Sequence, residues 1–88
     1  NTIADALTIF PNPTKGVVTL RFETVEIQDI EIQIVNSIGQ RIYSNHLTNY
    51  IGLVNEKIDL SSFSEGLYFV KITTNKGRSV TERVAHIK

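Results

Sequence analysis

Apolar and polar side chains alternate along much of this chain with a period of two, the repeat of a strand with one buried face. Val18, Leu20 and Phe22 fall on one side of residues 16–22, with Thr19 and Arg21 on the other. Ile30, Ile32 and Ile34 repeat the pattern, with Glu31 and Gln33 opposite. Residues 41–45 return as a partner strand carrying Ile42 and Tyr43, and residues 56–60 form another short strand with Ile58 and Leu60 inward. Between these, residues 23–29 read as a loop or irregular edge. Residues 46–55, where Gly52 interrupts Tyr50, Ile51, Leu53 and Val54, show no clear period. The longest apolar run, Leu67, Tyr68, Phe69, Val70 and Ile72, is built of β-formers and predicts a central strand covered on both faces. Residues 78–87 make the last strand. Its apolar positions, Val80, Val84, Ala85 and Ile87, switch parity between Val84 and Ala85, which predicts a β-bulge there.

Turn chemistry punctuates these strands. Leu7 to Phe10 is a brief strand stopped by Pro11, Asn12 and Pro13, so it lies at an edge or ends there. Gly16 closes that turn and is expected at positive φ. Residues 36–40 predict a hairpin with Gly39 in the left-handed position, and residues 75–77 a second one at Gly77. Ahead of the central strand, Asp59 caps a single turn that drops Leu60 and Phe63 onto the core, and Gly66 sets the start of the strand. Residues 1–6 read as the end of a linker, leaving 7–88 as the domain. The result is about seven short strands at roughly 8 to 12-residue spacing and no amphipathic helix. That predicts an all-β immunoglobulin-like antiparallel β-sandwich, with a small open β-barrel as the alternative.

Composition narrows what such a domain can do. The 88 residues make one domain with nine basic and nine acidic side chains, so nothing attracts nucleic acid or an anionic membrane. No apolar run approaches the roughly 20 residues that span a bilayer as a helix. There is no cysteine, hence no disulfide and no thiolate nucleophile. His46 and His86, the two histidines, have no Cys to complete a metal set and read as ordinary surface or edge residues. Glu23, Glu26 and Asp29 read as a solvated charged edge. No serine sits in a nucleophile elbow, and no phosphate loop appears. Tyr43, Tyr50 and Tyr68 are scattered and there is no Trp, so packing explains them better than a sugar-stacking face. No enzyme, metal or cofactor is expected; a binding or structural module is. The chain opens on Asn and lacks Met, which points to a segment of a longer protein whose export signal lies elsewhere.

Three stretches together resemble the C-terminal sorting domain of the bacterial type IX (Por) secretion system. Ile9-Phe10-Pro11-Asn12-Pro13-Thr14-Lys15-Gly16 is similar to that family's opening hydrophobic-x-P-N-P-x-x-G motif. Leu60-Ser61-Ser62-Phe63-Ser64-Glu65-Gly66-Leu67-Tyr68-Phe69-Val70 is similar to its L-x-x-L-x-x-G-x-Y-x-V motif, with Phe63 in place of the commoner Leu. Arg83-Val84-Ala85-His86-Ile87-Lys88 is similar to its basic, apolar end. The hairpin at Asn36 to Arg41 also resembles the family's central D-x-x-G turn, with Asn where Asp is usual.

The resemblance implies a non-catalytic address at the C-terminus of an exported cargo protein. Its partners would be the upstream cargo, the type IX translocon, and the outer-membrane shuttle and sortase components. The cargo would cross the periplasm and reach the outer-membrane surface or the medium of a gram-negative bacterium. A surface sortase-like peptidase would then remove the domain near residues 1–6. Turn and packing roles account by themselves for Pro11, Asn12, Pro13, Gly16, Gly39, Leu60, Gly66 and Tyr68, and Tyr68 suits a tyrosine-corner bond from its hydroxyl to backbone. The terminal stretch Val84, Ala85, His86, Ile87 and Lys88 is the candidate for translocon recognition, by strand addition or through the chain end. Two alternatives remain: a carbohydrate-binding or fibronectin-like accessory module of a secreted enzyme, and a weak or strand-swapped homodimer.

Overall fold

The computed structural model describes residues 7–87. The linker assigned to residues 1–6 and the terminal Lys88 lie outside the described residues. Five strands form one antiparallel sheet: β1 (Thr8–Phe10), β2 (Val17–Asn36), β3 (Arg41–Asp59), β4 (Gly66–Thr74) and β5 (Ser79–His86). The all-β expectation holds, and no helix occurs among the described residues.

The predicted short strands merge into two long ones. β2 runs for 20 residues and β3 for 19, paired as a single hairpin. The polarity pattern breaks where the hairpin bends, with register shifts between Thr24 and Gln28 and again between Gln28 and Ile30. A bulge adds a residue to one strand, tightens its twist and bends it, so alternation is lost without loss of the strand. Side chains fix this corner. The Thr24 hydroxyl donates to the Glu26 carbonyl (2.6 Å), and Gln28 Nε2 donates to Thr24 Oγ1 (2.8 Å). On the facing strand, Asn49 (φ 52°) and Gly52 (φ 110°) absorb the bend.

The bend lets the sheet curl over its own inner face. In one half, β2 lies between β1 and the end of β3; in the other, it lies between the start of β3 and β4. Val18, Leu20 and Phe22 from the first half join Ile30, Ile32 and Ile34 from the second in one buried cluster with Val54, Ile58, Leu60, Tyr68, Val70, Ile72 and Val84. β3 meets itself across the curl. Tyr43 donates its hydroxyl to Glu56 Oε2 (2.8 Å), and Asn45 Nδ2 donates to the same carboxylate (3.0 Å). Burial first, and the Glu56 carboxylate second, push the Tyr43 hydroxyl up to about 12.

Three local expectations are corrected. β5 pairs with β4 in unbroken register from Ser79 to His86, so no bulge separates Val84 from Ala85. Val84 and His86 both point inward because the buried polar residue continues the parity. β4 is central, between β2 and β5, yet only its even positions, Tyr68, Val70, Ile72 and Thr74, are buried. Gly16 is absent from the positive-φ residues, whereas Gly39 (φ 86°) and Gly77 (φ 84°) are left-handed as the hairpins require.

Candidate functional site

Two prolines shape the first motif. Neither can donate to a ladder, and each pushes the residue before it toward extended backbone. The bonds from Phe10 to Pro11 and from Asn12 to Pro13 are both cis. The segment crosses from β1 to the far edge of β5, where Asn12 and Thr14 pair with it. Asn12 uses its side-chain amide as a peptide group: Nδ2 donates to the Arg83 carbonyl (2.9 Å), and Oδ1 accepts the Ala85 amide (3.1 Å). Thr14 continues with its backbone. Its amide donates to the Ala85 carbonyl and its carbonyl accepts the Ile87 amide, both at 2.9 Å, in a parallel bridge to His86. The buried Thr14 hydroxyl donates to the Val17 carbonyl (2.7 Å) and accepts the Gly16 amide (3.1 Å), which turns the chain into β2.

The second motif locks onto the first and the third. The Leu60 amide donates to the Gly16 carbonyl (2.9 Å), and Leu60 itself is fully buried. Asp59 accepts the Ser61 amide (2.9 Å), the predicted cap, and the turn closes with the Phe63 amide on the Leu60 carbonyl (2.9 Å). Hydrogen bonds from the Ser61 hydroxyl and amide hold the Asp59 carboxyl below the usual carboxylate range, with a smaller pull from the His86 ring. The turn presents the Ser64 carbonyl to two side chains. Tyr68 donates its hydroxyl to it, the tyrosine-corner bond, and His86 Nδ1 lies 3.2 Å away. A carbonyl only accepts, so Nδ1 carries the proton. The Tyr68 and His86 rings are 6.3 Å apart. His86 is 1% exposed, not a surface residue, and its Nε2 has no hydrogen-bond partner among the described residues.

The three motif stretches are thus one knot around the end of β5. Gly66 (φ 148°) starts β4 opposite His86, and Gly39 tips the hairpin at the same end, because Asn36 pairs with Tyr68. Of the terminal candidates, Val84 and His86 are buried, while Ala85 and Ile87 face outward. The outer edge of β5 from the Arg83 carbonyl to the Ile87 amide is already occupied by Asn12 and Thr14. Sequence reasoning missed Thr14 and Ser64 as anchors. Both are small polar residues whose partners are set only by the fold. Among the described residues no set of three His, Asp or Glu side chains gathers as metal ligands do.

The family model for the secretion system C-terminal sorting domain matches residues 8–87. Comparison with curated proteins gives no match.

Proposed function

Since the chain belongs to the family of secretion system C-terminal sorting domains, we propose that it is the portable address of an exported cargo protein, read by the type IX outer-membrane translocon. The observation that carries this reading is the knot. The motif stretches lie far apart in sequence, yet they converge on the terminal strand through hydrogen bonds from Asn12, Thr14, Leu60, Tyr68 and His86. A label that follows unrelated cargo has to hold its own shape, and these bonds hold the last strand of a small domain in place. The domain acts as substrate and signal, not as catalyst. Within the terminal stretch, the outward Ala85 and Ile87 offer side chains to the translocon. Val84 and His86 serve the core. After export, a surface peptidase separates cargo from domain in or just before residues 1–6.

The carbohydrate-binding alternative loses ground on geometry. Tyr68 is buried, and Tyr43 and Tyr50 are half-buried with their hydroxyls bonded to Glu56 and the Leu53 carbonyl, so the tyrosines form no exposed stacking face among the described residues. Fusion of residues 1–88 to the C-terminus of an inert periplasmic reporter tests the reading, in a host with type IX machinery and in its translocon-null mutant. Export in the first host alone supports it. A reporter retained in the periplasm of both sinks it.

A further inference from the structure

Half of β4 breaks the polarity rule that its other half obeys. An antiparallel sheet with one wet face reads apolar-in and polar-out, as Val70, Lys71, Ile72 and Thr73 do. Leu67 and Phe69 also point outward, however, and Leu67 is 42% exposed. The neighbouring strands answer them. Phe69 pairs with Val35 on β2, Leu67 pairs with Ala85 on β5, and Ile87 follows at 39% exposure. These five side chains form one apolar stripe across three adjacent strands, on the face opposite the core.

Charge in the rows through Phe69 and Lys71 has one sign. The row through Phe69 reads Arg41, Val35, Phe69, Arg83 across four strands, so an arginine closes each end. The next row carries Lys71 between Gln33 and Thr81. No acid stands in either row. The first acid on this face is Glu31, one row further, and it accepts a hydrogen bond from Gln33 (2.9 Å). Glu82 pairs with Val70 and belongs to the other parity, and Glu65 lies in the loop before β4. In a chain of zero net charge, an apolar stripe whose two bordering rows carry only basic charge is a local arrangement.

We propose that this outward face of β2, β4 and β5, centred on Phe69 and Leu67, is the docking surface for a protein partner that offers an apolar groove rimmed by carboxylates. The inference rests on the sorting reading and names the surface that the translocon grips. Charge complementarity selects the partner's rim, and phenylalanine and arginine are both enriched at protein interfaces relative to the rest of the surface. An anionic membrane fits less well. Three cations fall short of the cluster of about 4–8 that holds a protein to charged lipid.

The test is the reporter fusion carrying paired substitutions: Leu67→Ser with Phe69→Ser, and separately Arg41→Glu with Arg83→Glu. The control is Leu53→Ser with Lys57→Glu, exposed residues of β3 away from the stripe. Circular dichroism and a thermal melt establish folding; should the serine pair fail to fold, the exposed arginine pair decides. Export of the stripe variants falls about tenfold or more, the loss expected from one interface anchor, while the control exports like wild type. Folded arginine variants exported within about twofold of wild type overturn the proposal and leave the sorting reading standing. A wild-type fusion that is not exported overturns both. Flotation of the unmodified domain with vesicles of phosphatidylcholine and phosphatidylglycerol, abolished by Arg41→Glu with Arg83→Glu, assigns the face to lipid and overturns it too. So do concentration-dependent dimers, seen by light scattering, that the serine pair abolishes.

Discussion

Asn12 does with a side chain what a neighbouring strand would do with its backbone. Its amide satisfies one acceptor and one donor on the outer edge of β5, at Arg83 and Ala85. Asn12→Ala removes both bonds, each worth about 1 kcal/mol net. Water reaches this exposed site, so the expected total is about 1–2 kcal/mol, read as a fall in the urea midpoint. The Ala85 amide should exchange faster. Asn12→Asp keeps the acceptor and should preserve protection at Ala85. Asp59 gives a second residue-level outcome. Its carboxyl sits below the usual range because Ser61 donates to it. The folded state therefore holds that proton less tightly than the unfolded chain. The stability it contributes is present above the ordinary carboxylate range and is lost as pH falls through the lowered value. Asp59→Asn should flatten the acid side of a plot of urea midpoint against pH. The capping role of Asp59 was legible because its partner is two positions away. The role of Asn12 was not, because its partners lie 71 and 73 positions away.

At the scale of elements, β5 is structural before it is anything else. Val84 and His86 are core residues, and the strand is gripped on both edges, by β4 and by Asn12 and Thr14. Removal of residues 84–88 should abolish the cooperative thermal transition, since a small domain has only about 5–15 kcal/mol to lose. Ile87→Ser, an outward change, should stay within about 0.5 kcal/mol of wild type. A truncation that abolishes export would then report unfolding, and the point variant separates recognition from stability. The inward sets of β2 and β4 were legible because alternation survives wherever register is regular. The continuity of β2 and β3 was not, because the bulges at Thr24 to Ile30 shift the parity on which the reading depends. The apparent parity switch in β5 has a different cause. A buried histidine stands where an apolar residue was sought, so Ala85 and Ile87 drew the inward assignment that belongs to His86.

At the scale of the molecule, one sheet makes both layers, and the long β2–β3 hairpin runs through each. Such a sheet has to stop its curl from opening, and the free side is closed by side chains, not by a ladder. Tyr43 and Asn45 from the start of β3 meet Glu56 from its end. Glu56→Ala leaves a half-buried hydroxyl and amide without their acceptor, which should cost about 1–3 kcal/mol by urea unfolding. Amides of residues 41–47 should lose exchange protection before those of β4, since the loss is local to the mouth of the curl. The Tyr43 hydroxyl adds an independent reading. Burial and the carboxylate raise it to about 12 from an ordinary value of 10.0, so the folded state favours the neutral phenol. Its contribution is fully present below the unfolded value and fades as pH rises through the folded one. In Glu56→Ala the late-titrating phenol should move back toward its ordinary value. If it titrates unchanged while exchange at 41–47 rises, burial alone sets the phenol and the seam acts through packing. If both move together, the Glu56 carboxylate is what holds the two halves of the sheet face to face.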